Sequence, residues 1–168
     1  GWEVTVVEML PQILPPFDAE VALYVQRHLE KKLINVLTDT RATAIVGCGD
    51  GATVKTSKGD LGADLVLMSV GMKPDTELAK AAGIDIGARG AIRVDRSGMT
   101  SDPDVYASGD CATTFGLLSK AEVWAPMGST ATKQARAAAL ARTGSDGSFP
   151  GFLGTMVVRA FEVSAAKT

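Results

Sequence analysis

Hydrophobic and polar positions alternate or run together in short blocks along this chain. "WEVTVVE", Trp2 to Glu8, is rich in β-branched residues and predicts a strand. "MLPQILPPF" follows as a loop punctuated by proline. Asp18 can N-cap a helix from about Ala19 to Leu33, with Val21, Val25, Leu29 and Leu33 as its apolar stripe and Lys31 and Lys32 at the cation-favouring end. "INVLTD" predicts a short strand. "ATAIVGC" and "ATVKTS" flank "GDG", a hairpin signal, and "SKGD" marks a second turn. "ADLVLMSVG" is apolar almost throughout, as expected of a strand buried on both faces. A short helix, "TELAKAAG", ends at Gly83, suited to the residue after a helix C-cap. "GAIRVD" predicts another strand, and "DVYAS" three or four strand-like residues that stop at Gly109-Asp110. "GSTATKQARAAALAR" predicts an Ala-rich helix, and "GFLGTMVVRAFEVSAAKT" the start of two more strands. Strand, helix, strand, hairpin and buried strand in this order predict an α/β nucleotide-binding unit with an antiparallel β insert.

Composition narrows the function classes only a little. The chain has 168 residues, a formal net charge of −2 and 46% hydrophobic residues, enough for a real core. No run of five Lys or Arg suggests nucleic-acid binding, and no apolar run reaches the ~18 residues of a membrane span. The first residues are strand-like and do not resemble a signal peptide. Cys48 and Cys111 are far apart and neither lies in a CxxC, which fits a reducing cytosol and gives no metal site. His28, the only histidine, reads as a helix-surface residue.

Three places offer chemistry. Glu8 closes the first visible strand; a dinucleotide fold puts the carboxylate that hydrogen-bonds the adenosine ribose at the end of its second strand, so this strand would be the fold's second, and a solvated strand end is the alternative. Gly109 allows close approach of backbone and ligand, and Asp110 adds an acceptor suited to the hydroxyls of a ribose or polyol; an ordinary turn is the alternative. Gly128, Ser129 and Thr130 open the Ala-rich helix, whose free N–H groups can seat an electron-rich oxygen; capping by Ser129 is the alternative. A G-x-G-x-x-G turn, which a dinucleotide fold should carry between its first strand and helix, occurs nowhere in the chain.

"TSDPDVYASGD" resembles the T-S-x-P-x-[IV]-Y-A-x-G-D segment of the FAD-dependent pyridine nucleotide-disulphide oxidoreductases. "ADLVLMSVGMKP" resembles their apolar strand ending in G-x-x-P, and "WEVTVVEMLPQILP" the end of the second strand of their NAD subdomain. "APMGSTATKQARAAA" resembles the helix after their G-D motif, and "GTMVVRAFEVSAAKT" the opening of their dimerisation domain. The five matches lie in the family's order and are most similar to its branch of coenzyme A-disulphide reductases, NADH oxidases and NADH peroxidases.

The resemblance implies parts of two Rossmann-like, three-layer FAD/NAD(P)-binding domains with an antiparallel β insert, plus the start of an α+β dimerisation domain. Residues 1–92 would be a partial NAD subdomain, 93–148 the C-terminal part of the FAD domain and 149–168 the dimerisation segment. It implies that Asp110, after Gly109, bonds the ribityl chain of FAD. Gly128, Ser129 and Thr130 would point amides at the flavin, Glu8 would take the ribose of NAD, favouring NADH over NADPH, and Gly71 would lie near the nicotinamide. The implied activity carries hydride from NAD(P)H to FAD and on to a disulphide, peroxide or oxygen, in a cytoplasmic homodimer acting on a small molecule. A ferredoxin- or rubredoxin-reductase-like flavoprotein and a noncatalytic nucleotide-binding fragment are the rivals. The family's two Gly-rich turns and redox cysteine have no counterpart here, and neither cysteine matches the redox position. The expectation is therefore an internal or C-terminal fragment.

Overall fold

The computed structural model describes residues 1–168 apart from the side chain of Cys48. The chain forms two compact units: residues 1–69 with 156–167, and residues 70–155 with 168.

In the first unit, β1 (Val4–Val7) lies parallel to β2 (Ile34–Leu37), with Val4 opposite Ile34 and Val7 opposite Leu37. The connection runs through α1 (Ala19–Lys31), so these elements form one β-α-β unit. Asp18 occupies the N-cap position, but its side chain makes no capping bond. The helix also stops earlier than the apolar stripe predicts. Leu33 adopts φ 62° beyond the C-cap and is exposed, while Val21, Val25 and Leu29 do pack inward. A left-handed leucine is a strained way to turn the chain into β2.

β3 (Ala42–Cys48), β4 (Gly51–Thr56) and β5 (Gly59–Ala63) form an antiparallel meander. Both tight turns fall where "GDG" and "SKGD" predict them. β8 (Met156–Ala160) and β9 (Val163–Lys167) make a second antiparallel hairpin, which packs through β9 on α1. The core of this unit is Ile13, Phe17, Val25 and Ala165, joined by Met156, Val158 and Val163. The Pro-rich loop is thus more than a connector, because two of its residues fill the space between α1 and the hairpin. His28 Nε2 and Lys32 Nζ meet Glu162 at 3.1 and 2.8 Å, which confirms a structural surface role for the histidine.

The second unit contains α2 (Glu77–Ala81), ended by Gly83 at φ 74° as predicted, and α3 (Gly128–Arg142). Between them lie the two-residue strands β6 (Thr114–Phe115) and β7 (Glu122–Val123).

Three predicted strands do not form as regular strands. "GAIRVD" takes part only in single bridges, Ile92 with Ile86 and with Ala112, and "DVYAS" in one, Tyr106 with Met99. "ADLVLMSVG" contributes only Ala63, the last residue of β5, and runs on as extended coil. A strand buried on both faces needs neighbouring strands to form its sheet and layers packed over both faces, and the described residues supply no strand partner for residues 64–71. Leu67 is therefore 89% exposed and Val70 83% exposed, instead of buried. No described helix is long and apolar enough to cross a membrane.

Candidate functional site

The site is built on the 3-10 turn Gly109–Cys111 and the start of α3, which pack against each other within the second unit. Gly109 has φ 82°, a conformation open to glycine at little cost, and a Cβ there would already touch the Ala131 methyl at 3.5 Å. A side chain at 109 would lie between the turn and the helix.

Three bonds fix the turn. The Gly109 N–H donates to Gln134 Oε1 at 3.2 Å, and Gln134 Nε2 donates to the Thr113 carbonyl at 2.8 Å. The Trp124 indole N–H donates to the Asp110 carbonyl at 2.8 Å. Residue 92 adds a parallel strap: its N–H donates to the Cys111 carbonyl at 2.7 Å, and its carbonyl accepts from the Thr113 N–H at 2.8 Å.

The Asp110 side chain is exposed, and among the described residues no donor engages its carboxylate. Every polar tie on this residue is made by its backbone. At α3, Met127 occupies the N-cap position and offers no side-chain cap. Gly128 and Ser129 are exposed and Thr130 is buried. The expectation that Ser129 could cap the helix is not met, so the first-turn N–H groups keep their partial positive charge. Free carboxylate, glycine approach and uncapped helix start suit a ligand bearing hydroxyls on one part and an electron-rich oxygen on another. This donor set fits the ribityl chain and ring of a flavin.

The other expected residues are not part of this group. Glu8 stands directly after β1, in the first unit, at the carboxyl end of the parallel pair, where open α/β sheets bind ligands. One of its oxygens accepts the Leu10 N–H at 2.8 Å, so the carboxylate is held in its own turn with the second oxygen available. Gly71 lies exposed in coil at φ 95°, and the space a Cβ would enter there is open to 4 Å. Cys111 is half-buried and its thiol contacts the Ser108 carbonyl at 3.5 Å; the Cys48 side chain lies outside the described residues. Sequence reasoning missed Gln134 and Trp124. The glutamine was visible as part of "KQAR", but its reach back to Gly109 and Thr113 depends on tertiary packing.

The family model of the pyridine nucleotide-disulphide oxidoreductases matches residues 1–138. The chain belongs to this family. Among curated relatives, it is 34% identical to an NADH oxidase of Methanocaldococcus jannaschii over 169 aligned positions, covering 100% of this chain and 38% of the relative. Among solved structures, a NAD-dependent persulfide reductase from A. fulgidus superposes with TM-score 0.93 and 40% identity, over 98% of this chain and 31% of that one. A FAD-dependent pyridine nucleotide-disulphide oxidoreductase from Desulfovibrio vulgaris gives TM-score 0.91 and 38% identity, over 96% and 41%. The expected family and α/β fold class are borne out, and the chain spans little more than a third of the curated relative's length.

Proposed function

We propose that these residues serve a FAD-dependent NAD(P)H oxidoreductase that passes hydride from NAD(P)H, with NADH preferred, to FAD and on to a disulphide, peroxide or oxygen. The observation that carries this reading is the exposed, unengaged Asp110 carboxylate, held by backbone ties beside the uncapped start of α3. In the proposal, Asp110 accepts hydrogen bonds from the ribityl hydroxyls, and Gly109 lets the chain come close. The N–H groups of Gly128, Ser129 and Thr130 stabilise negative charge on the pyrimidine side of the ring. FAD, when bound, supplies the two-electron carrier between nicotinamide and acceptor. Glu8 holds the ribose of NAD, and Gly71 leaves room for the nicotinamide.

Within this reading, residues 1–92 belong to the NAD-binding part, 93–148 to the FAD-binding part and 149–168 to the start of a dimerisation domain. The compact units instead divide at Ser69 and place the last hairpin with the first residues. Compactness records which residues touch, whereas the proposed parts record which cofactor each segment serves. A cytoplasmic homodimer acting on a small molecule completes the proposal.

The test is Asp110→Ala in the full-length protein, with flavin per chain measured by absorbance after purification. Losing a charged acceptor should weaken FAD binding by about 1–3 kcal/mol. Full occupancy with unchanged affinity would reject the assignment.

A further inference from the structure

We propose that Gln134 and Trp124 are positioning residues, which lock the 109–113 turn by its backbone so that the Asp110 carboxylate stays free and preset for a polyol ligand. The inference rests on the reading of Asp110 as the flavin carboxylate.

Gln134 is only 5% exposed, in the interior of α3, where a long polar side chain is costly to bury unless both ends are bonded. Both ends are. Its oxygen accepts the Gly109 N–H and its nitrogen donates to the Thr113 carbonyl. The two partners differ in kind, so the amide fits in one orientation only; a flip would set N–H against N–H and oxygen against oxygen. The side chain thereby spans the turn from first residue to last and fastens it to the helix whose N-terminus forms the other half of the site. Thr113 is fully buried, and its hydroxyl also accepts the Val94 N–H at 3.3 Å, so the far end of the span is itself anchored.

Trp124 supplies the third point. It follows β7 directly, and its indole N–H takes up the carbonyl of Asp110 itself. Its neighbour Glu122 is tied in turn: the carboxylate accepts the Ala88 N–H at 2.7 Å and Arg93 Nε–H at 3.1 Å. The strand carrying the indole is therefore not free to drift. With the Gly109 N–H, the Asp110 carbonyl and the Thr113 carbonyl all engaged, rotation of the turn is restricted before any ligand arrives. A ligand then meets a carboxylate whose backbone needs no further ordering, which lowers the entropy lost on binding.

Full-length holoprotein stripped of FAD and titrated with it, followed by flavin fluorescence, tests the inference. The variants are Trp124→Phe, Gln134→Leu, Asp110→Asn and the double variant Trp124→Phe/Asp110→Asn, with thermal unfolding measured on each. Trp124→Phe keeps an aromatic ring and deletes the donor. It should raise the Kd for FAD by about 3- to 10-fold with Asp110 present, the effect of one net hydrogen bond. In the Asp110→Asn background the same change should be less than about 2-fold, because the indole acts through the carboxylate. Gln134→Leu should raise the Kd at least as much, and if it fails to fold the tryptophan arm decides alone. Equal effects of Trp124→Phe in both backgrounds, or none in either, would overturn the proposal. An Asp110→Asn protein that binds FAD like the parent would remove the underlying reading of Asp110, and the clamp's role with it.

Discussion

Glu162 sits at the tip of the β8–β9 hairpin, where Lys32 and His28 both reach it. The Lys32 hydrogen bond holds its carboxyl below the ordinary range, helped by a backbone N–H in its own residue and by His28. A carboxyl depressed in the folded state stabilises above its unfolded pKa and loses that contribution as the pH falls through the folded value. Glu162→Gln should therefore lower the melting temperature near pH 7, and the gap should close as acid protonates the parent carboxyl in the folded state too. The effect will be small, because the group is exposed and screened. Melting curves of both proteins from pH 7 to 3 decide this, and a gap that widens in acid would contradict it. Glu8 makes a different residue-scale claim. A carboxylate at the ribose position repels the extra phosphate of NADPH. Glu8→Ala should narrow the preference for NADH, read as the ratio of kcat/KM for the two cofactors. A parent protein that already favours NADPH would dismiss the ribose role.

At the scale of elements, the sequence was most legible where local chemistry is strong. Turn glycines, a β-branched first strand and the Ala-rich helix all appear where their residues predict them. It was least legible where structure depends on distant partners. "GAIRVD" has strand composition, but it finds single bridges in place of a ladder. The Pro-rich segment reads as a loop punctuated by proline, yet Ile13 and Phe17 from it are core residues. Leu29 and Leu33 look equivalent by helical spacing, and only the left-handed backbone at Leu33 separates them. The candidate site follows the same rule: Gly109, Asp110 and Gly128 stood out as local motifs, whereas the Gln134 and Trp124 ties required the fold. The loop's structural weight can be measured. Phe17 is buried beside Val25 and Ala165, between α1 and the hairpin. Phe17→Ala should cost about 3 kcal/mol or more, as expected for removal of a buried aromatic ring. Chemical denaturation of the full-length protein would show the loss; a change under about 0.5 kcal/mol would mean the loop is not part of a cooperative core.

For the whole molecule, the extended stretch from Leu65 to Met72 has the largest consequence. Leu65, Leu67, Met68, Val70 and Met72 are all exposed and follow one another without a strand partner. Such a run combines an open backbone edge with apolar side chains, the two features that promote edge-to-edge association. Its composition fits a strand covered on both faces, so the physical preference of these residues is for burial that they lack here. The chain expressed alone should therefore self-associate as its concentration rises. Size-exclusion chromatography with light scattering, run over a concentration series, gives the measurement. A paired variant, Leu67→Lys/Val70→Lys, places two charges in the run and should shift the distribution toward monomer. A control such as Lys31→Ala/Lys133→Ala, away from the stretch, should not. A wild-type chain that stays monodisperse and unfolds cooperatively, or a lysine pair without effect, would show that these side chains are covered in solution after all.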